Sequence, residues 1–142
     1  MSKVLYIKAN IKPEGQSRTF RISDEFVESY KKQHPNDEVV VLDLYKEGID
    51  YISVTGITFK YTAEGPVGLC QNKKAIHIVT RGGEYKDMPY EMGDRYLRTI
   101  LGFFGIEDIQ TLAVDNTDSN PEGLEEILSQ AIQQAQEIAV QF

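Results

Sequence analysis

Two short polar stretches of the sequence have residue types and spacing that suit ligand binding. The first contains Asn10, Ser17, Arg18 and Thr19, which supply an amide, two hydroxyls and a guanidinium just before a helical pattern. Backbone N–H groups at a helix N-terminus attract anions, and a guanidinium binds phosphate oxygens through paired donors. The stretch therefore suits a phosphate, while a plain N-cap at Ser17 explains the same spacing equally well.

The second stretch is Thr80, Arg81, Gly82 and Gly83, directly after a run of apolar residues. Paired glycines allow a ligand to approach the backbone closely and allow positive φ angles, and both properties suit a flat ring system. On the sequence alone, a simple turn at the end of a strand is the favoured alternative.

Other chemically active residues give weaker signals. His77 lies in the middle of an apolar run, where a hydrogen-bonded sheet histidine is a better interpretation than a catalytic base. Cys70 is best interpreted as a packed thiol. The chain has neither GxGxxG nor GxxxxGK[ST], and its His and Cys residues lack the spacing of a metal site, so we expect no metal.

Composition narrows the class of protein. The 142 residues carry a formal net charge of −7, which argues against a nucleic-acid or anionic-membrane partner. No apolar window is long enough to span a bilayer. A single cysteine cannot form an internal disulfide, and the N-terminus does not have the pattern of a signal peptide, so we expect a cytoplasmic protein.

Apolar runs and amphipathic patterns alternate along the chain. Buried strands are expected at 3–8, 38–44, 74–80 and 108–114. The first helix follows Ser17, and its inward face is expected to contain Ile22, Phe26, Val27 and Tyr30. A second helix is expected to contain apolar positions from Met92 to Phe104 and to end at Gly105. The last is expected to begin with Asn120 as N-cap and Pro121 as first residue.

This alternation predicts a single α/β domain over 1–142, a three-layer α/β/α sandwich with a mostly parallel sheet. Ligands bind beyond the carboxyl ends of the strands in such sheets, which directs attention to loops 9–19, 45–52, 81–90 and 115–120. Residues 45–73 have no convincing helical pattern, so the sheet is expected to be one strand-and-helix unit short.

Five segments together carry a resemblance to a known family: KVLYIKANIKP at 3–13, HPNDEVVVLDLYKE at 34–47, GITFKYTAEGPVGL at 56–69, TRGG at 80–83 and LGFFG at 101–105. The chain resembles the flavodoxin-like FMN-dependent NADH:quinone oxidoreductases, also called azoreductases. The resemblance implies that hydride passes from NAD(P)H through FMN to quinones or azo compounds in a ping-pong cycle, with the flavin carrying the chemistry.

The resemblance also implies roles for individual residues. Ser17, Arg18 and Thr19 would hold the FMN phosphate, with Asn10 adjacent. The flavin ring would be lined by Thr80, Arg81, Gly82 and Gly83. Tyr61 and Phe103 would belong to an aromatic substrate pocket, which in this family forms at a homodimer interface.

The chain departs from the family at one place. The family's second flavin segment, a Met-(Tyr/Trp)-Asn run after the central strand, is absent, and the break is expected near Tyr51–Val54. It is the same unit that the strand and helix pattern lacks. Two alternatives to the enzyme remain open at this point: a flavodoxin-type FMN electron carrier, and an inactive remnant if the deletion is real.

Overall fold

Parallel strands alternate with helices along the chain, as the sequence predicts. The computed structural model describes residues 2–10, 12, 15–47 and 53–142. In chain order the elements are β1 (Lys3–Lys8), α1 (Arg18–Gln33), β2 (Glu38–Asp43), α2 (Leu44–Glu47), β3 (Phe59–Thr62), β4 (Gly65–Gly68), β5 (Lys74–Thr80), α3 (Gly93–Phe103), β6 (Asp108–Val114) and α4 (Leu124–Gln141).

The strands in the described part of the chain form three separate pairs. β1 pairs in parallel with β2, β5 pairs in parallel with β6, and β3 and β4 form an antiparallel hairpin. Val4 and Tyr6 of β1 pack against the same core as Ile76 and Ile78 of β5, so one helical layer covers both parallel pairs. Within the residues that the structure describes, no hydrogen-bond ladder joins β1 to β5.

The core lies where α1 and α4 pack against each other and against β6. Ile22 of α1 and Leu128 of α4 are completely buried. Small side chains on α4 allow the two helices to approach closely. The remaining buried members of this core are Phe26, Val27, Tyr30, Leu112, Val114, Ala131, Ala135 and Ala139.

The helix boundaries mostly follow the predictions, with one clear correction. Ser17 is the N-cap of α1, and Gly105, at φ 92°, follows the end of α3. The last helix begins at Leu124 rather than at Pro121. The Asn120 side chain accepts a hydrogen bond from the Gly123 N–H at 3.0 Å and so holds a turn that precedes the helix.

The interval 45–73 contains a hairpin that the sequence analysis did not predict. Its strands have only four residues each, and β4 contains two glycines and a proline, which gives a weak strand signal. Gly65 adopts φ 124° where the chain turns back. A side chain at Gly68 would collide with the backbone of Phe104 and Gly105, so this glycine seats the hairpin against the end of α3. Half of the expected break at Tyr51–Val54, residues 51 and 52, lies outside the described residues.

Candidate functional site

A polar cleft lies where the carboxyl ends of β1, β5 and β6 meet the start of α1. Its volume is about 210 Å³, below the ~300–1,000 Å³ of most ligand pockets, so it suits one polar group of a larger ligand. Six of the eight predicted cofactor residues line it. We call it the anion cleft, and it is lined by Asn10, Lys12, Ser17, Arg18, Thr19, Thr80, Gly82, Thr117 and Asp118.

Ser17 serves both as helix cap and as a wall of the anion cleft. Its Oγ accepts hydrogen bonds from the Phe20 N–H at 3.2 Å and from Asn10 Nδ2 at 3.1 Å. With both acceptor positions of the oxygen in use, the hydroxyl can still donate its hydrogen to an anion. The two interpretations of this residue are therefore compatible.

The first turn of α1 supplies the other donors. Arg18 Nη1 lies 2.5 Å from Asp118 Oδ1 across the anion cleft. The hydroxyls of Thr19 and Thr80 are 2.8 Å apart, which ties the start of α1 to the end of β5. Lys12 adds a second cation, and its backbone N–H donates to Asn10 Oδ1 at 3.0 Å. Two cations, several hydroxyls and a positive helix end favour an anionic ligand here.

The loop after β5 is fastened to the loop after β6. The Gly82 carbonyl accepts hydrogen bonds from the N–H groups of Asp118 and Ser119, both at 3.0 Å, and from Ser119 Oγ at 2.9 Å. A side chain at Gly82 would collide with the Asp118 carboxylate. Neither Gly82 nor Gly83 adopts a positive φ, so this loop does not use the conformational freedom that paired glycines allow.

Arg81 points away from the anion cleft. Its Nε donates to Asp115 Oδ1 at 2.6 Å, and its Nη1 lies 3.4 Å from Glu91 Oε1. Asp115 also accepts from the backbone N–H groups of Tyr85 and Lys86, both at 2.8 Å. Burial raises the pKa of Asp115, but these hydrogen bonds and the Arg81 charge outweigh it and lower the pKa below the usual range. Arg81 and Asp115 therefore fix the shape of the loop.

Tyr61 and Phe103, the predicted substrate-pocket residues, lie in one aromatic cluster. Both rings contact the buried Phe59, with centroids 5.6 Å and 4.7 Å away. Tyr61 is 71% exposed. The hairpin thus holds the exposed Tyr61 ring against the buried Phe59, a position in which Tyr61 can contact another aromatic group.

His77 belongs to a half-buried polar network, in agreement with its interpretation as a hydrogen-bonded sheet histidine. Its Nδ1 lies 3.0 Å from Asp94 Oδ1, which also accepts from Thr111 Oγ1 at 2.6 Å. Arg98 Nε donates to Asp94 Oδ2 at 2.7 Å. Burial raises the pKa of Asp94, but the three hydrogen bonds and the Arg98 charge lower it to about 2. Because an ionised carboxylate only accepts, Nδ1 of His77 carries the proton.

Two features are absent from the part of the chain that the structure describes. None of its helices is long and apolar enough to cross a membrane. None of its His, Cys, Asp and Glu side chains gather in a group of three or more that suits a metal ion.

Comparison with known proteins identifies a family and several relatives. A family model described as flavodoxin-like fold matches residues 2–49 and 46–139. An FMN-dependent NADH:quinone oxidoreductase of Clostridium perfringens is 48% identical, with both chains fully covered. The crystal structure of an azoreductase from Bacillus anthracis is 30% identical, with a TM-score of 0.84 and complete coverage of both chains. An FMN-dependent NADH-azoreductase from Bacillus anthracis in complex with FMN is 21% identical, with a TM-score of 0.86 and 99% coverage of both, and shows likeness of fold alone.

The alignments also locate a difference in length. The alignment with the Clostridium perfringens protein spans 198 residues, whereas this chain has 142, so at least 56 aligned positions (198 − 142) have no counterpart here. The two stretches that match the family model meet at residues 46–49, between β2 and the β3–β4 hairpin.

Proposed function

The chain belongs to the flavodoxin-like family of FMN-dependent NADH:quinone oxidoreductases, and we propose that it binds FMN and reduces quinones and azo compounds with NAD(P)H. When bound, FMN supplies the chemistry, since it takes up hydride from NAD(P)H and passes it to the acceptor. The anion cleft is the observation that carries this proposal. Its donors and cations gather at the strand ends, where ligands of α/β sheets bind.

The residues of the cleft fit the phosphate end of FMN. Ser17 and Thr19 supply hydroxyl donors, and Arg18 supplies a guanidinium at the positive end of α1. Asn10 orients the Ser17 hydroxyl through their 3.1 Å hydrogen bond.

The predicted ring-binding residues lie next to the anion cleft, at the end of β5 and in the loop that follows it. Thr80 and Gly82 line the cleft, while Arg81 shapes the loop through Asp115. We assign the backbone N–H groups of Gly82 and Gly83 to the polar edge of the flavin ring, where donors stabilise negative charge.

The phosphate site is tested by removing its hydroxyls while keeping the helix. Glycine is a tolerable N-cap, so Ser17→Gly combined with Thr19→Ala removes both donors at a cost of a few tenths of a kcal/mol at the cap. We expect FMN binding, followed by flavin fluorescence, to weaken by roughly 1–3 kcal/mol while riboflavin binding is unchanged. Thr99→Ala is the control, because the exposed Thr99 hydroxyl bonds only to Arg95 O on α3. Equal FMN affinity in the double variant and the control would place the phosphate elsewhere.

Turnover separates an enzyme from an electron carrier. The FMN-loaded chain is expected to oxidise NADH with menadione as acceptor in the absence of any other protein. Bound FMN without this turnover would favour the flavodoxin-type carrier, whereas a chain that cannot take up FMN would favour an inactive remnant.

We further propose that the functional unit is a homodimer and that Tyr61 and Phe103 line its substrate pocket. The exposure of Tyr61 above the packed Phe59 supports this assignment, since aromatic residues are enriched at interfaces. A cytoplasmic location is also part of the proposal, and the single cysteine supports it.

Finally, we propose that residues 1–142 form one domain that lacks a central strand-and-helix unit. Three observations support this: the aligned positions without counterpart, the junction at 46–49, and the missing ladder between β1 and β5 in the described residues. The outer face of β1 and β2 is also open, with Leu5, Ile7 and Val40 each more than 40% exposed. A further strand between β1 and β5, followed by its helix, would pair both edges and cover this face.

A further inference from the structure

Asp118 lies in the anion cleft, where a carboxylate opposes the binding of an anion. Its Oδ1 is 2.5 Å from Arg18 Nη1, and the cleft is lined by both residues. The backbone of Asp118 is fixed because its N–H donates to the Gly82 carbonyl at 3.0 Å. The Asp118 carboxylate thus already accepts a hydrogen bond from the Arg18 guanidinium that a phosphate would use.

A phosphate and a carboxylate cannot both use Arg18 at no cost. Each is an anion that seeks the same donors, and a phosphate carries about −1.5 to −2 charges at neutral pH, so the two repel at short range. The Asp118 side chain is 70% exposed, whereas that of Arg18 is 31% exposed. The carboxylate can therefore turn out into water, while the guanidinium stays in the cleft.

From this geometry we propose that Asp118 is an internal competitor that the cofactor's phosphate displaces from Arg18. The inference rests on the proposed phosphate site and adds a residue that sets its affinity and selectivity. Asp118 lowers the affinity for a phosphate-bearing flavin and leaves that for the neutral flavin, riboflavin, unchanged. It holds Arg18 in place when no phosphate is bound, and it makes the cofactor easier to exchange.

Asp118→Asn tests the proposal, because asparagine keeps the size and one acceptor oxygen of aspartate and removes its charge. We expect FMN to bind about three- to tenfold more tightly, the range for an exposed ion pair plus the relieved repulsion. Riboflavin should bind the variant and the unaltered chain equally, and inorganic phosphate, which uses the same donors as the FMN phosphate, should also bind the variant more tightly. The exposed Glu122→Gln is the control, since it makes the same change in net charge outside the cleft.

The outcomes separate the two proposals. An unaltered chain that binds FMN no better than riboflavin overturns the phosphate site itself. A preference for FMN that Asp118→Asn leaves unchanged or weakens overturns only the internal competitor, as does an equal gain for riboflavin or for Glu122→Gln. Asp118→Ser is the second variant: it removes the charge with a smaller side chain and should show the same gain. Circular dichroism of each variant confirms that the fold is retained.

Discussion

The network around Asp94 predicts how the stability of the protein changes with pH. Asp94 is only 20% exposed and connects His77 on β5, Thr111 on β6 and Arg98 on α3. Its pKa of about 2 lies below the ordinary value of 3.8. Since one pH unit corresponds to about 1.36 kcal/mol, this difference stabilises the fold by about 2 kcal/mol.

The sign follows from the direction of this pKa. A carboxylate whose pKa is lower in the folded protein than in the unfolded chain stabilises the fold at every pH above its pKa in the unfolded chain. That stabilisation is lost as the pH falls toward the pKa in the folded protein. Asp94→Asn should therefore lower the free energy of unfolding by about 2 kcal/mol at pH 7 and at pH 5. The difference from the unaltered chain should shrink below pH 4 and be mostly lost near pH 2.

Urea unfolding followed by far-ultraviolet circular dichroism measures this difference at each pH, since the chain has no tryptophan for fluorescence. Asp108→Asn is the matched control. Asp108 begins the same strand as Thr111, but its side chain is 55% exposed and its carboxylate lies 4.0 Å from Lys74 Nζ. Asp108→Asn should therefore lower the free energy of unfolding by less than about 0.5 kcal/mol. If Asp94→Asn lowers the free energy of unfolding equally at pH 2 and at pH 7, the reasoning is refuted, because the destabilisation would then come from packing rather than from ionisation.

Two further predictions concern the sheet and the dimer. Inserting the unmatched segment of the Clostridium perfringens relative at residues 46–49 should raise the free energy of unfolding measured in urea by several kcal/mol, at roughly 1–2 kcal/mol for each newly buried Leu5 or Ile7 side chain. A glycine–serine insert of equal length is the control, and an equal result for both inserts contradicts the prediction. In sedimentation velocity with FMN, Tyr61→Asp should convert the dimer into a 16.1 kDa monomer, while Tyr96→Asp, at a similarly exposed tyrosine on α3, should not. A monomeric unaltered chain would contradict the dimer.

Local patterns predicted the elements with long apolar periodicity. The strands β1, β5 and β6 have the predicted bounds, because each is a short segment rich in strand-forming apolar residues. The hairpin was missed because its strands have only four residues each and β4 consists of two glycines, a proline and a valine, and its seat against the end of α3 is a tertiary contact that no local pattern reveals. The start of α4 was placed too early because Asn120 caps a turn rather than the helix.

The part of the site whose residues are adjacent in the sequence was predicted, and the part that the fold assembles was not. Ser17, Arg18 and Thr19 lie next to one another in the sequence, and their types alone indicate an anion site. Asp115 and Asp118 were not singled out, although their loop was, because acidic residues after a strand look the same whether they face water or a guanidinium. Only the fold brings residue 18 beside residue 118.

The lack of a ladder between β1 and β5 among the described residues also affects how copies of this chain behave toward one another. A strand edge with free N–H and C=O groups is a template for a strand of another molecule. The β1 edge of one copy and the β5 edge of the next are different surfaces, so their pairing is head-to-tail and does not close into a dimer. Such contacts would build open-ended assemblies that grow with concentration.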